Sequence, residues 1–167
     1  MKKYILFDND GVLVHTEPLY FKANIIALEE YFNISLEFEE YMKIMSKGTT
    51  VWQKAFEKGF SSHEIDKARN QRNLYYQNFL RTENILIPQV KEVLEKLSKK
   101  YKMGIVTTSR RVDFEIIHRN LGIVDYMDFV LCEEDYNYAK PHPEPYLKGW
   151  ELFKAKKEET IVIEDST

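Results

Sequence analysis

The chain has 167 residues, of which 44% are hydrophobic and 14% aromatic, enough for the core of one ordinary domain with room for a small second lobe. Its 24 basic and 27 acidic side chains nearly cancel, to a formal net charge of -3, and the basic residues are scattered, which argues against nucleic acid as a partner. The single cysteine, Cys132, excludes an internal disulfide, no spaced Cys/His set offers a zinc site, and no apolar run approaches a membrane span. A soluble cytoplasmic protein with no membrane partner is therefore expected.

The first lysines of MKKYILFDND imitate a secretion signal, but Asp8 ends the apolar stretch far short of the length needed. Tyr4 to Phe7 is short and wholly apolar, the pattern of a strand buried on both faces of a parallel sheet. With a strand's period of two, Asp8 and Asp10 leave it on one side and Asn9 on the other, while Gly11 permits a sharp turn. Two carboxylates that close repel each other. A divalent cation relieves the repulsion, and an all-oxygen site suits Mg2+.

From about His15 to Ile87 the pattern is helical, with no convincing strand. Ser61 and Glu64 have the spacing of a capping box, and Ile65, Ala68, Tyr75 or Tyr76, and Phe79 are expected to share one helix face. This reads as a small helical domain inserted after the first strand, with its aromatic rings as core.

Pro88 then starts a helix carrying Val90, Val93, Leu94 and Leu97. A second strand in MGIVTTS runs into Thr107, Thr108 and Ser109, where hydroxyls and free N–H groups at a helix start make an anion cradle. The next helix is expected from about Arg111 to Leu121, closed by Gly122, and FVLCEED is a weaker strand candidate in which Cys132 is a small core residue. Lys140 opens KPHPEPY, where Pro141 and Pro143 stiffen the loop that aims its ammonium group. Tyr146, Leu147, Trp150 and Phe153 mark a further helix, and TIVIEDST a fourth strand that ends in Glu164 and Asp165. Strands alternating with helices give an α/β fold with a largely parallel sheet, whose ligands bind beyond the carboxyl ends of the strands. The polar tails after Phe7, Val106 and Ile163 all fall at that edge.

Taken together, FDNDGVL, Thr107 in GIVTTS, Lys140 in KPHPEPY, and Glu164 with Asp165 in VIEDS resemble the four ordered motifs of the haloacid dehalogenase superfamily, in the subfamily with a helical cap. The resemblance covers essentially the whole chain. It implies a Rossmann-like parallel-sheet core from residues 1–14 and 88–167, and an α-helical cap from residues 15–87. It also implies Mg2+-dependent hydrolysis of a small phosphate monoester, such as a sugar phosphate. Asp8 would become an aspartyl-phosphate and Asp10 would serve as general acid and base. Thr107 and Lys140 would grip the phosphoryl group, with Thr108 and Ser109 in the same cradle. Mg2+ would be held by the Asp8 and Asp165 side chains and the Asp10 carbonyl, with Glu164 assisting.

Departures from the family pattern keep other readings open. A β-phosphoglucomutase-like mutase is the first alternative, but Tyr20 stands where the mutases carry histidine, and the loop with Lys47, Thr49 and Thr50 has no arginine. His15 stands where relatives carry aspartate, as a neutral hinge residue or a source of pH sensitivity, and Arg110 and Arg111 are either surface residues or attractors of an anionic substrate. A phosphorylated receiver domain combines similar residues, although there Lys-Pro comes last, whereas here acidic residues follow Lys140. The family continues past the fourth motif through another helix and at least one more strand, so the C-terminal part of the core is expected to be missing. Thr160 to Ile163 would then form an open sheet edge on an otherwise monomeric chain, and a non-catalytic binding protein becomes a further alternative.

Overall fold

The computed structural model describes residues 1–47 and 49–165. Four strands, β1 (Tyr4–Phe7), β2 (Lys102–Val106), β3 (Phe129–Leu131) and β4 (Thr160–Ile163), form a parallel sheet in the order β3-β2-β1-β4. Phe7 is in register with Ile105 on one side and Ile163 on the other, so the polar residues after β1, β2 and β4 emerge together at one edge. This is the α/β class that the alternation of apolar strands and helical segments predicts.

Alternation along β1 sends Ile5 and Phe7 to one face of the sheet and Leu6 to the other. Ile5 and Phe7 pack with Leu94 of α5 (Val90–Ser98) and Phe114 of α6 (Arg111–His118). Leu6, Val106 and Leu131 pack with Tyr146, Trp150 and Phe153 of α7 (Glu144–Phe153). Gly149 is what lets α7 approach so closely, because a Cβ there would lie 2.9 Å from Leu6 Cδ1. Helix α6 stops at His118, earlier than the expected Leu121: Leu121 N–H bonds back to the His118 carbonyl in a turn, and Gly122 follows at φ +66°. Capping chemistry at glycine marks the end of that turn, not of the helix proper.

Residues Met1–Thr16 with Asn84–Thr167 make one compact unit, and Glu17–Glu83 make the other. The helical unit contains α1 (Glu17–Phe32), α2 (Phe38–Met45), α3 (Gln53–Glu57) and α4 (Ser62–Thr82). Its core collects Leu28, Phe32, Tyr41, Trp52, Ile65 and Ala68, so most of its large rings are spent on packing. Ser61 accepts from Glu64 N–H at 3.4 Å while Glu64 accepts from Ser61 N–H at 2.8 Å, the reciprocal cap that starts α4.

The inner face of α4 is Ile65, Ala68, Arg72, Tyr76 and Leu80, with Tyr75 and Phe79 only half-buried. Reading apolar spacing alone points to Phe79 because it passes over a cation in the stripe. Arg72 is tolerated there because its guanidinium lies 4.6 Å from the Tyr20 ring centroid and donates to Asn24 Oδ1 at 2.8 Å.

The two connecting segments of the sheet unit run side by side and antiparallel. Val14 bridges Leu86, His15 N–H donates to the Ile85 carbonyl at 2.7 Å, and Thr16 follows with its side chain buried.

Candidate active site

The loop after β1 is built around Asn9, whose carbonyl accepts from Leu13 N–H at 2.8 Å and more weakly from Val12 and Val14. That tight turn needs Gly11, which sits at φ +82°. A Cβ at Gly11 would come within 2.1 Å of Asp165 Oδ2, so the glycine also makes room for the acidic end of β4. Asp8 N–H donates to the Ile163 carbonyl at 2.9 Å, and Thr107 N–H to the Leu131 carbonyl at 2.9 Å. Strand pairing therefore continues one residue into each motif and fixes both backbones.

Two clusters form at this edge. In the first, Lys140 Nζ lies 2.7 Å from Asp8 Oδ1 and 2.8 Å from Glu164 Oε2. Tyr146 also donates to Glu164 Oε2, at 2.5 Å. Single oxygens of Asp8, Glu164 and Asp165 lie within 4.8 Å of one another, a group able to hold a metal ion. Three carboxylates facing one ammonium leave an excess of negative charge, and an all-oxygen donor set fits a hard divalent cation. Burial pushes Asp8 up to about 7 against the pull of Lys140. Burial pushes Glu164 upward as well, but hydrogen bonds from Asp8, Lys140 and Tyr146 outweigh it and hold Glu164 at about 2.

The second cluster surrounds Asp10. Its Oδ2 accepts from Ser109 Oγ at 2.8 Å, Thr107 Oγ1 at 3.1 Å and Asn9 Nδ2 at 3.3 Å, and its Oδ1 accepts a short hydrogen bond from Thr16 Oγ1. Thr107 is fully buried, its hydroxyl accepts from Ser109 N–H at 3.0 Å, and its carbonyl is tied down by Tyr136 at 2.7 Å. A carboxylate collared by hydroxyls, beside another whose proton affinity burial has raised, can pass protons to and from a bound ester.

Over residues 5–167 the sequence matches the family of haloacid dehalogenase-like hydrolases. The chain belongs to this family. As a haloacid dehalogenase-like hydrolase it is 29% identical over 166 residues to pyrophosphatase PpaX of Bacillus mycoides, covering 97% of this chain and 74% of that protein. In fold it is similar to CbbY from Rhodobacter sphaeroides, solved in complex with phosphate, with a TM-score of 0.79 and 18% identity over 97% of this chain and 77% of that one. It is similar too to a haloacid dehalogenase-like family hydrolase from Streptococcus pneumoniae, with a TM-score of 0.74 and 23% identity over 98% and 76% of the two chains. The family assignment sets aside the receiver-domain alternative.

Asp8, Asp10, Thr107, Ser109, Lys140, Glu164 and Asp165 thus lie along one edge of the sheet in this hydrolase. Thr108 is exposed, and the hydroxyl pair on Asp10 comes from the residues on either side of it. Arg110 pairs with Asp113 at 2.6 Å and Arg111 with Asp135, so both arginines are engaged by carboxylates of their own unit. Burial pushes the Cys132 thiol up to about 12, which makes it inert packing.

Four neighbours of the motifs escaped the sequence reading: Thr16, Tyr146, Asn9 and His118. Thr16 and Tyr146 carry hydroxyls close in sequence to Asp10 and Lys140, a signal that was available but shared by many surface residues. His118 is buried, with Nε2 2.7 Å from Asn9 Oδ1, and no spacing rule links positions so far apart. No helix of the described residues is long and apolar enough to cross a membrane.

Proposed function

We propose that the protein is a Mg2+-dependent phosphatase that hydrolyses a small phosphate monoester, with a phosphorylated metabolite as its partner. The observation that carries this reading is the pairing of two aspartates with different surroundings: Asp8 against Lys140 and the acidic cluster, Asp10 within a collar of hydroxyls. The relation to a pyrophosphatase and to a protein solved with phosphate supports phosphoryl transfer.

In this reading an Asp8 oxygen attacks phosphorus while the bond to the leaving oxygen breaks, and Asp10 delivers its proton to that oxygen. Asp10, now ionised, takes a proton from water as the water oxygen attacks the aspartyl-phosphate, releasing phosphate and restoring Asp8. Lys140, Thr107 and Ser109 hold the phosphoryl oxygens and stabilise the charge that builds on them. Asp8, Glu164 and Asp165, with the Asp10 carbonyl, would hold Mg2+, which supplies charge neutralisation between nucleophile and phosphate. The segment Glu17–Glu83 would serve as the cap that selects the ester.

A mutase must protect the phosphoryl-enzyme from water until a second sugar hydroxyl arrives. Tyr20 is edge-on to Tyr76 at 5.2 Å and lies beneath the Arg72 guanidinium, so it is committed to packing, which favours hydrolysis.

The test is phosphate release with Mg2+ from p-nitrophenyl phosphate, inorganic pyrophosphate and a panel of sugar phosphates. Activity on at least one, lost by roughly a thousandfold in Asp8→Asn and in Asp10→Asn, is expected. An intact-mass adduct of one phosphoryl group, absent from Asp8→Asn, identifies the intermediate. Turnover retained in Asp8→Asn refutes the scheme.

A further inference from the structure

We infer that Asn9 and His118 form a positioning pair, in which His118 grips Asn9 from behind so that Asn9 keeps the Asp10 carboxylate aimed at the reacting ester. The inference rests on the reading of Asp10 as acid and base given above.

The hydrogen-bond logic runs in one direction only. Asn9 is fully buried and its amide touches a polar group at each end, with Nδ2 3.3 Å from Asp10 Oδ2 and Oδ1 2.7 Å from His118 Nε2. Asp10 Oδ2 also accepts from the Thr107 and Ser109 hydroxyls, so the amide nitrogen faces Asp10 and the amide oxygen faces the ring. Nε2 therefore carries the hydrogen, and Nδ1 is bare. Nδ1 is in fact a buried nitrogen with no hydrogen-bond partner, which is consistent with that tautomer.

A buried imidazole with one nitrogen unmet costs stability, and the surroundings would accept an apolar side chain. The ring packs on Phe114 at 4.3 Å, and Phe114 itself belongs to a cluster with Phe7, Ile105 and Ile123. Among the described residues its hydrogen-bond partner is Asn9. Burial also holds the ring well below the usual histidine range, at about 4, so it stays neutral where the other nitrogen can remain bare.

The position of the pair explains why such a contact is useful. His118 is the last residue of α6, the helix that follows Thr107 and Ser109, while Asn9 lies between the two aspartates. Among the described residues Asp10 has four side-chain donors: Thr16, Thr107, Ser109 and Asn9. In the proposed reaction Thr107 and Ser109 turn toward phosphoryl oxygens, and Thr16 borders the segment leading into the helical unit. Asn9 is the donor held from behind by a buried partner, so the aim of Asp10 survives when the hydroxyls leave it. His118 and Asn9 are positioning residues, because neither is required to touch substrate.

The experiment compares His118→Phe, Asn9→Leu, the double variant and His118→Gln on p-nitrophenyl phosphate with Mg2+, with thermal melting of each. The two single variants are expected to lose about tenfold in kcat with KM changed less than about twofold, and the double variant to fall no lower than the worse single. His118→Gln, whose amide nitrogen can reach the same oxygen, should recover to within about threefold of the parent. Losses that multiply in the double variant, a Gln variant as poor as the Phe variant, or lowered melting with kcat intact would each overturn the pair.

A second readout needs no activity. In 15N-histidine-labelled protein at neutral pH, His118 should be a single Nε2–H tautomer that Asn9→Leu abolishes. A tautomer mixture in the parent protein refutes the geometry, whereas absence of turnover with the tautomer intact counts against the proposed function alone.

Discussion

Tyr146 donates its hydroxyl to Glu164 Oε2 at 2.5 Å, on the same oxygen that Lys140 approaches at 2.8 Å. Glu164 stands at the end of an edge strand, and these two donors from the Lys140 loop and α7 hold its carboxylate in place. Tyr146→Phe should lower the free energy of unfolding by about 1 kcal/mol, the ordinary value of one net hydrogen bond. It should also raise the Mg2+ concentration needed for half-maximal phosphate release severalfold. An unchanged Mg2+ requirement would detach Tyr146 from the acidic cluster.

The protonation of Asp8 gives a pH dependence with a definite sign. Its pKa rises from 3.8 to about 7 on folding, so the folded state holds this proton more tightly than the unfolded chain. The stability it contributes is complete below the unfolded value and is lost as the pH climbs through the folded one. In EDTA, urea unfolding should show stability falling by something on the order of 1–3 kcal/mol between acid and neutral pH. Asp8→Asn should flatten that fall, and added Mg2+ should offset it above neutrality. Glu164, held at about 2, acts in the opposite sense and in a separate window, losing its contribution only as the pH drops below 4.5.

Gly11→Ala should be costly in two ways at once. The φ of +82° strains any L side chain, by about 1–2 kcal/mol, and the new Cβ would displace Asp165. Melting should therefore fall modestly while calorimetric Mg2+ binding is lost altogether. A variant that melts lower but binds Mg2+ normally would show that Asp165 does not need the space.

Thr16 can be probed without touching the motifs. Thr16→Val keeps the shape and removes the donor to Asp10, and is expected to cost about tenfold in kcat, while Thr16→Ser should keep activity within about threefold. Equal losses in both would assign the effect to the methyl group and its packing instead of the hydroxyl.

Much of the sheet unit was legible because burial on both faces produces unbroken apolar runs, as in Tyr4–Phe7 and in β2 after Lys102, while β4 was legible from the apolar run Ile161 to Ile163 even though Val162 and Ile163 are exposed. The motif residues stood out because charge directly after such a run has few structural explanations. The inner face of α4 was harder to read, since Arg72 is buried through its contacts with Tyr20 and Asn24, and hydropathy records the charge without the partners. Asn9 and His118 were invisible for a related reason: each is an ordinary polar residue until folding places one against the other.

The paired segments at Val14–Leu86 and His15–Ile85 have a consequence for how this protein can be rebuilt. A chain that leaves a scaffold and returns beside its own point of departure can be cut out and the gap closed by a tight hairpin turn, or refilled with a different insert. On the proposed reading, chemistry and choice of ester would then be inherited separately, one written in the sheet edge and the other in an exchangeable cassette.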